Sequence, residues 1–211
     1  MKNDNEFGGF MVDTNIEEAR NEKPREEKFS KRKEFFEWLD VISIALICVI
    51  VVFGFIFRVA TISGDSMLNT LHNGEMVVIT DFSYTPKNGD IVVISRNIEN
   101  TVANTDGGPI IKRVIAIENQ VVDIIDGKVV VDGEVLAEPY IGNAYTGTHD
   151  VSFPVTVPKG HIFVLGDNRA VSLDSRSSGI GENGMIDERY VLGHAVYRVF
   201  PFSSMGSLTD K

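Results

Sequence analysis

The sequence predicts a mainly β protein: an antiparallel β-sheet domain carrying an inserted β cap, preceded by one N-terminal transmembrane helix. Three observations lead there. From Val41 to Phe57 no residue is charged. Beyond Ala60 the chain breaks into short runs rich in Val and Ile, separated by turn residues, which is the pattern of buried strands. No long amphipathic helix and no internal repeat interrupts those runs.

In chain order, residues 1–37 are polar and charged with almost no apolar periodicity, and read as a largely disordered tail, with Lys28–Trp38 able to continue the following helix. Residues 38–60 approach the ~20 apolar residues that cross a bilayer core, with Trp38, Phe35 and Phe36 as an interfacial belt. Cleavage after Ala60 would place Arg58 where a leader sequence needs a small residue, so the segment reads as an uncleaved anchor. Arg25, Lys28, Lys31, Arg32 and Lys33 precede it and only Arg58 follows at close range. That bias puts the N-terminus in the cytoplasm and residues 61–211 outside, on a single-pass protein of the cell membrane. Within 61–211, strands are expected over Met76–Ile79, Asp90–Ile94, Ile110–Ile117 and Val121–Ile125. Asp126-Gly127 and Asp132-Gly133 mark tandem hairpins. The region of about 120–159, with its Gly/Thr/Asn-rich loop, reads as the insertion or cap.

Composition narrows the function. A net charge of −10 offers no basic face for phosphates, which argues against nucleic acid as a partner. The single cysteine, Cys48, lies in the apolar run, so no intrachain disulfide is possible. His72, His149, His161 and His194 are scattered without metal-ligand spacing, and no phosphate loop is present. Neither a metal nor a cofactor is implied.

Three stretches can carry chemistry. Ser66, in Ser63-Gly64-Asp65-Ser66-Met67, follows the apolar run on a tether of at most about 25–30 Å from Arg58. His72 is close enough in sequence to serve as its base, although a lone histidine beside a turn is more often a surface residue. Lys112 interrupts the apolar strand Ile110–Ile115, sharing a face with Ile110 and Val114 while Arg113 shares the other with Ile111 and Ile115. Taken alone, it reads first as an edge-strand charge that discourages aggregation. As a base its pKa would have to fall from about 10.4 by about 2–3 units, which burial beside apolar strands achieves. Gly166 to Gly179 is dense in Gly, Asp, Asn and Ser, with two Asp–Arg pairing options, and is either a polar surface turn or a support that holds reacting groups.

Together these stretches resemble the type I signal peptidase family, membrane-anchored serine proteases that remove signal peptides from exported proteins. The matching pieces are Gly64-Asp65-Ser66-Met67 with Thr70-Leu71, Gly89-Asp90-Ile91-Val92-Val93, Lys112-Arg113-Val114-Ile115, and Gly166-Asp167-Asn168-Arg169 through Ser172, Asp174, Ser175 and Arg176, in order across about residues 38–206. The single span and Gly64-Asp65 look like the Gram-positive branch. The resemblance implies that Ser66 is the nucleophile and its backbone N–H an oxyanion donor, with Lys112 the general base and Ser172 orienting the lysine. It further implies supporting pairs Arg113–Asp167 and Asp174–Arg176, and substrate contacts at Ile62, Gly64, Asp65 and Met67. Its implied partners are the signal peptides of preproteins, with small residues before the cut, and the lipid bilayer. Asn69 stands where the family usually has proline, and Ala116-Ile117-Glu118-Asn119-Gln120 replaces its common Gly-Leu-Pro-Gly-Asp. A rival reading keeps the fold and discards the chemistry: a membrane-tethered assembly factor for surface proteins.

Overall fold

The computed structural model describes residues 23–95, 108–142 and 144–209, with side chains from residue 31 onward except Phe55. Residues 1–22, most of the expected tail, lie outside the described residues. The chain divides into an N-terminal unit and a C-terminal unit from Val52 onward.

The described residues of the N-terminal unit belong to one helix, α1 (Lys23–Ile56), whose last residues fall in the C-terminal unit. Its first half is built from Lys, Arg and Glu, good helix formers, with Lys33 and Glu37 paired one turn apart at 4.0 Å. Lys31–Gly54 is long and apolar enough to cross a membrane, at 24 residues and mean hydropathy 2.4. Such a segment spans about 36 Å, against about 30 Å of hydrocarbon. The helix stops at Ile56 rather than running to Ala60, where the apolar pattern had placed the end of the anchor. Phe57–Thr61 instead forms strand β1, in register with β2 (Met76–Thr80) from Phe57↔Thr80 to Thr61↔Met76. Ladder pairing and the β-branched Val59 and Thr61 override hydrophobic continuity there.

The C-terminal unit is antiparallel β throughout, as the sequence predicts. Its main sheet adds β3 (Ile91–Ile94), β4 (Ile110–Ala116), β9 (His161–Leu165), β10 (Ile186–Asp187) and β11 (Val191–Phe200), in the order β1-β2-β11-β3-β4-β9-β10. β12 (Gly206–Ser207) pairs with β11. A second sheet, ordered β7-β6-β5-β8, holds β5 (Val121–Ile125), β6 (Lys128–Val131), β7 (Glu134–Val135) and β8 (Val155–Thr156). It fills the stretch expected to be the cap, and its two hairpins turn at Asp126-Gly127 and Asp132-Gly133. All four turn residues adopt positive φ (51°, 76°, 50° and 85°), as a two-residue hairpin turn requires.

Alternation along β3 and β4 sorts side chains to two faces. Val92, Ile94 and Val114 enter one core cluster with Ile162, Val164 and Ile180, whereas Ile91 and Val93 enter another with Ile62, Met67, Leu71 and Val77. Lys112 lies opposite Val92 in the β3–β4 ladder, flanked along its strand by Ile110 and Val114, and Arg113 lies opposite Ile91. One strand thus sends a lysine to one side of the sheet and an arginine to the other.

Candidate active site

Ser66 sits in an excursion between β1 and β2 whose base is closed by Ile62 N–H to Glu75 O (2.8 Å) and Gly74 N–H to Ile62 O (2.9 Å). Met67 (2% exposed) and Leu71 (0%) plug into the core and pin the turn from below. Gly64 takes φ +89°, a conformation that favours glycine, and its N–H donates to Asn73 Oδ1 at 3.1 Å. Asn69 also takes a left-handed φ of +81°. Proline could not adopt it, so the departure from the family's residue goes with a different turn geometry here.

Lys112 is buried (4% exposed) although its neighbours in the sheet are apolar. Its Nζ donates to Ser66 Oγ at 2.8 Å and to Ile111 O at 3.0 Å. A hydroxyl and an amine separated by 46 residues are therefore in hydrogen-bond contact. They face a cleft of about 710 Å³ that Gly64, Asp65, Ile110, Val171 and Leu173 also line. The register of β4 with β9 begins at Arg113↔Leu165, so the N-terminal end of β4 borders the cleft. His72, the rival base, is exposed and has its Nδ1 3.5 Å from Glu75.

The loop after β9 braces both partners. Asn168 N–H donates to Ser66 O (3.0 Å) and Asn168 Nδ2 donates to Asp65 O (3.1 Å), which ties the serine turn to the loop. Gly166 packs where a Cβ would meet Ser172 Cβ and Ser66 O, each at 2.5 Å. On the far face of β4, Arg113 is fully buried and donates Nε to Asp167 Oδ1 (2.9 Å) and Nη2 to Asp167 Oδ2 (2.7 Å), with Nη1 to Gly89 O (2.8 Å). Thr70 Oγ1 donates to the same carboxylate. Arg176 and Asp174 form a second buried fork, and Asp174 Oδ2 also accepts from Gly166 N–H at 3.0 Å. Both ion pairs expected from the resemblance are present.

Matches to known proteins fall on this arrangement. The family model described as signal peptidase, peptidase S26, matches residues 35–200. This chain belongs to the peptidase S26 signal peptidase family. A signal peptidase I of Bacillus licheniformis is 32% identical over 85% of this chain and 96% of that protein. A signal peptidase IB of Staphylococcus aureus is 34% identical over 82% and 93% respectively. The crystal structure of a signal peptidase I from Enterococcus faecalis aligns at 29% identity with a TM-score of 0.41, over 53% of this chain and 97% of that one. As a member of the family the chain is a serine endopeptidase.

Three expected residues, Ile62, Met67 and Ser172, are buried. Ile62 (3% exposed) and Met67 (2%) lie in the core rather than at the cleft, because the turn that exposes Ser66 needs apolar anchors on either side of it. Of the four residues expected to contact substrate, Gly64 and Asp65 line the cleft. Ser172 is buried, but its Oγ has no hydrogen-bond partner among the described residues, so the expected bond to Lys112 is not made. Its backbone instead fixes it, with N–H donating to Asn168 O at 3.1 Å and O accepting from Arg176 at 3.3 Å.

Sequence reasoning also passed over a group in the cap. Arg169, 2% exposed, donates to Gly166 O (3.0 Å), to Thr146 Oγ1 (2.6 Å) and, through two nitrogens, to Glu138. Tyr140 lays its ring 3.9 Å from the Arg113 guanidinium carbon and donates its hydroxyl to Glu138 Oε1 at 3.0 Å. Burial and the adjacent Glu138 carboxylate push the Tyr140 phenol well above its ordinary value, which keeps it a donor. No local signal in the sequence joins Arg169 to Glu138, which lies 31 positions away.

Proposed function

We propose that Ser66 and Lys112 form the reacting dyad of a signal peptidase I, which cuts N-terminal signal peptides from exported preproteins at a membrane surface. The observation that carries this reading is the 2.8 Å contact between Ser66 Oγ and the Nζ of a lysine only 4% exposed. A base needs its amine uncharged, and the hydrogen bond sets that nitrogen on the hydroxyl it would deprotonate.

The contact between the two side chains supports the following steps. Lys112 Nζ takes the Ser66 proton as Oγ bonds to the scissile carbonyl carbon. The oxyanion leans on backbone N–H groups, with that of Ser66 as one donor. The C–N bond breaks, the lysine's proton goes to the departing amine, and an acyl ester remains on Ser66. Lys112 then takes a proton from water as the water attacks the ester, and returns it to Ser66 Oγ. Arg113–Asp167 and Asp174–Arg176 hold the strand and loop that bring the two groups together. The substrate lies extended along the N-terminal end of β4, small residues preceding the cut, in the manner of an added strand.

The anchor reading completes the picture. α1 crosses the bilayer once, the basic cluster before it stays in the cytoplasm, and residues 61–211 stand outside. Tethering raises the effective concentration of the site for a signal peptide held in the same membrane.

The test uses the full chain in lipid vesicles with a preprotein bearing a signal peptide. Wild type cleaves it, Ser66→Ala and Lys112→Ala do not, His72→Ala does, and the rate rises towards alkaline pH. Cleavage by Ser66→Ala, or loss in His72→Ala with Lys112→Ala active, overturns the dyad. The rival tether without chemistry requires wild type itself to leave the preprotein intact.

A further inference from the structure

We propose that the Glu138–Tyr140 segment of the cap is a positioning latch for the reaction, holding the serine turn and the lysine strand in mutual register through Arg169 and Arg113. The inference rests on the dyad reading above.

Two lines of contact run from this segment and converge on adjacent residues. In the first, Glu138 (side chain 6% exposed) takes the guanidinium of Arg169, whose side chain is fully buried. Arg169 in turn donates Nε to Gly166 O. Gly166 is the residue wedged between the Ser66 carbonyl and the Ser172 side chain. In the second, the Tyr140 ring covers one face of the Arg113 guanidinium, while Asp167, Gly89 and Thr70 occupy its edges. Arg113 is the residue next to Lys112 on β4, and its carboxylate partner, Asp167, directly follows Gly166. The cap therefore grips position 166 through one arginine and position 167 through the other. Position 166 packs on the Ser66 carbonyl, and position 167 holds the arginine next to Lys112.

Local chemistry suits the role. Glu138-Pro139-Tyr140-Ile141 forms a short 3-10 turn with Pro139 at its start, which stiffens the backbone between the carboxylate and the ring. Ile141 (9% exposed) anchors the end of that turn. Both acceptors of Glu138 are used, by Arg169 and by the Tyr140 hydroxyl, so the two grips are themselves cross-linked. A cation with its edges hydrogen-bonded and its face on an aromatic ring has little freedom to tilt. None of these cap residues lines the catalytic cleft, so the segment acts through the arginines and not on the substrate.

The experiment measures kcat and KM of the full chain in vesicles on a signal-peptide substrate, for Glu138→Gln, Tyr140→Leu and Tyr140→Phe, with Ser66→Ala alongside. A misplacement near 1 Å costs about 100-fold, so Glu138→Gln and Tyr140→Leu should lose about 10–100-fold in kcat while KM stays within about twofold. Tyr140→Phe keeps the ring over Arg113 and should stay within about threefold of wild type. Thr146→Val replaces one acceptor of Arg169 with a methyl group, and carries the same prediction in weaker form if Glu138→Gln fails to fold. Wild-type kcat in Tyr140→Leu and in Glu138→Gln (or, where the latter does not fold, Thr146→Val), or losses confined to KM, overturn the latch. If Ser66→Ala also cleaves, the failure belongs to the dyad reading and not to the latch.

Discussion

Gly166→Ala tests whether the loop's close approach sets the catalytic geometry. A Cβ at Gly166 would stand 2.5 Å from Ser66 O and 2.5 Å from Ser172 Cβ, where ordinary contact begins at 3.4 Å. Relieving the first clash alone needs a shift of about 0.9 Å (3.4 − 2.5), and the atom in the way belongs to the backbone of the nucleophile itself. Asn168 N–H and Nδ2 fasten that same turn to the loop, so the displacement cannot be absorbed by letting the loop slide alone. Stability should fall by about 1–3 kcal/mol, the usual effect of overpacking. The kinetic loss should be larger: a 1 Å error in placing a reacting group costs about 100-fold, equivalent to about 2.7 kcal/mol of barrier. The assay is kcat of the full chain in vesicles on a preprotein, read well below the variant's melting temperature. A variant that is folded, less stable and yet cleaves at the wild-type rate would refute the reasoning, because the serine would then have moved without consequence.

Further predictions rest on other parts of the molecule. Asn69→Pro demands a φ near −65° where the chain holds +81°, so the serine turn should be disrupted and activity lost, although proline is the family's usual residue there; wild-type activity would mean the turn relaxes freely. Ser172→Ala removes a buried hydroxyl without a partner among the described residues, so the melting temperature should rise, by an amount corresponding to at most about 1 kcal/mol, while kcat falls if the hydroxyl engages the amine during turnover; a drop in melting temperature would contradict the first half. The Asp187 carboxyl is held down at about 2, first by the Arg189 side chain and then by the Arg189 N–H. A depressed carboxyl contributes stability above its ordinary value near 3.8 and loses it as pH falls towards 2, so Asp187→Asn should flatten the acid limb of a stability-against-pH curve across that window. The effect is small because the Arg189 side chain is 84% exposed, and identical curves for both proteins would refute it.

Much of the fold was legible because local signals agreed with the tertiary answer. The Asp-Gly pairs forced hairpins, and the Val/Ile runs could satisfy their backbone only as strands. The end of the anchor was misread for the opposite reason. Phe57 to Ala60 looks lipid-soluble apart from Arg58, and only β2, whose strand lies fifteen or more residues further on, makes that stretch a strand. The two partners of the 2.8 Å contact stood out in the sequence by type and order, Ser66 in its turn and Lys112 interrupting an apolar strand. Sequence shows which residues flank a serine and not which way they point, and the structure turns the Ile62 and Met67 side chains into the core. Glu138 and Tyr140 carried no motif that composition could separate from an ordinary polar turn.

By itself the sequence determined a membrane-length helix, an antiparallel β domain with a hairpin cap, and a serine and a lysine embedded in family motifs. Those properties follow from periodicity, turn chemistry and residue type, all of which act over a few neighbours. Tertiary structure decided that Lys112 Nζ meets Ser66 Oγ at 2.8 Å, that Arg169 finds its carboxylate at Glu138, and that Ser172 Oγ has no hydrogen-bond partner among the described residues. The first two outcomes depend on contacts between residues 46 and 31 positions apart, where packing and burial of charge outweigh any local preference.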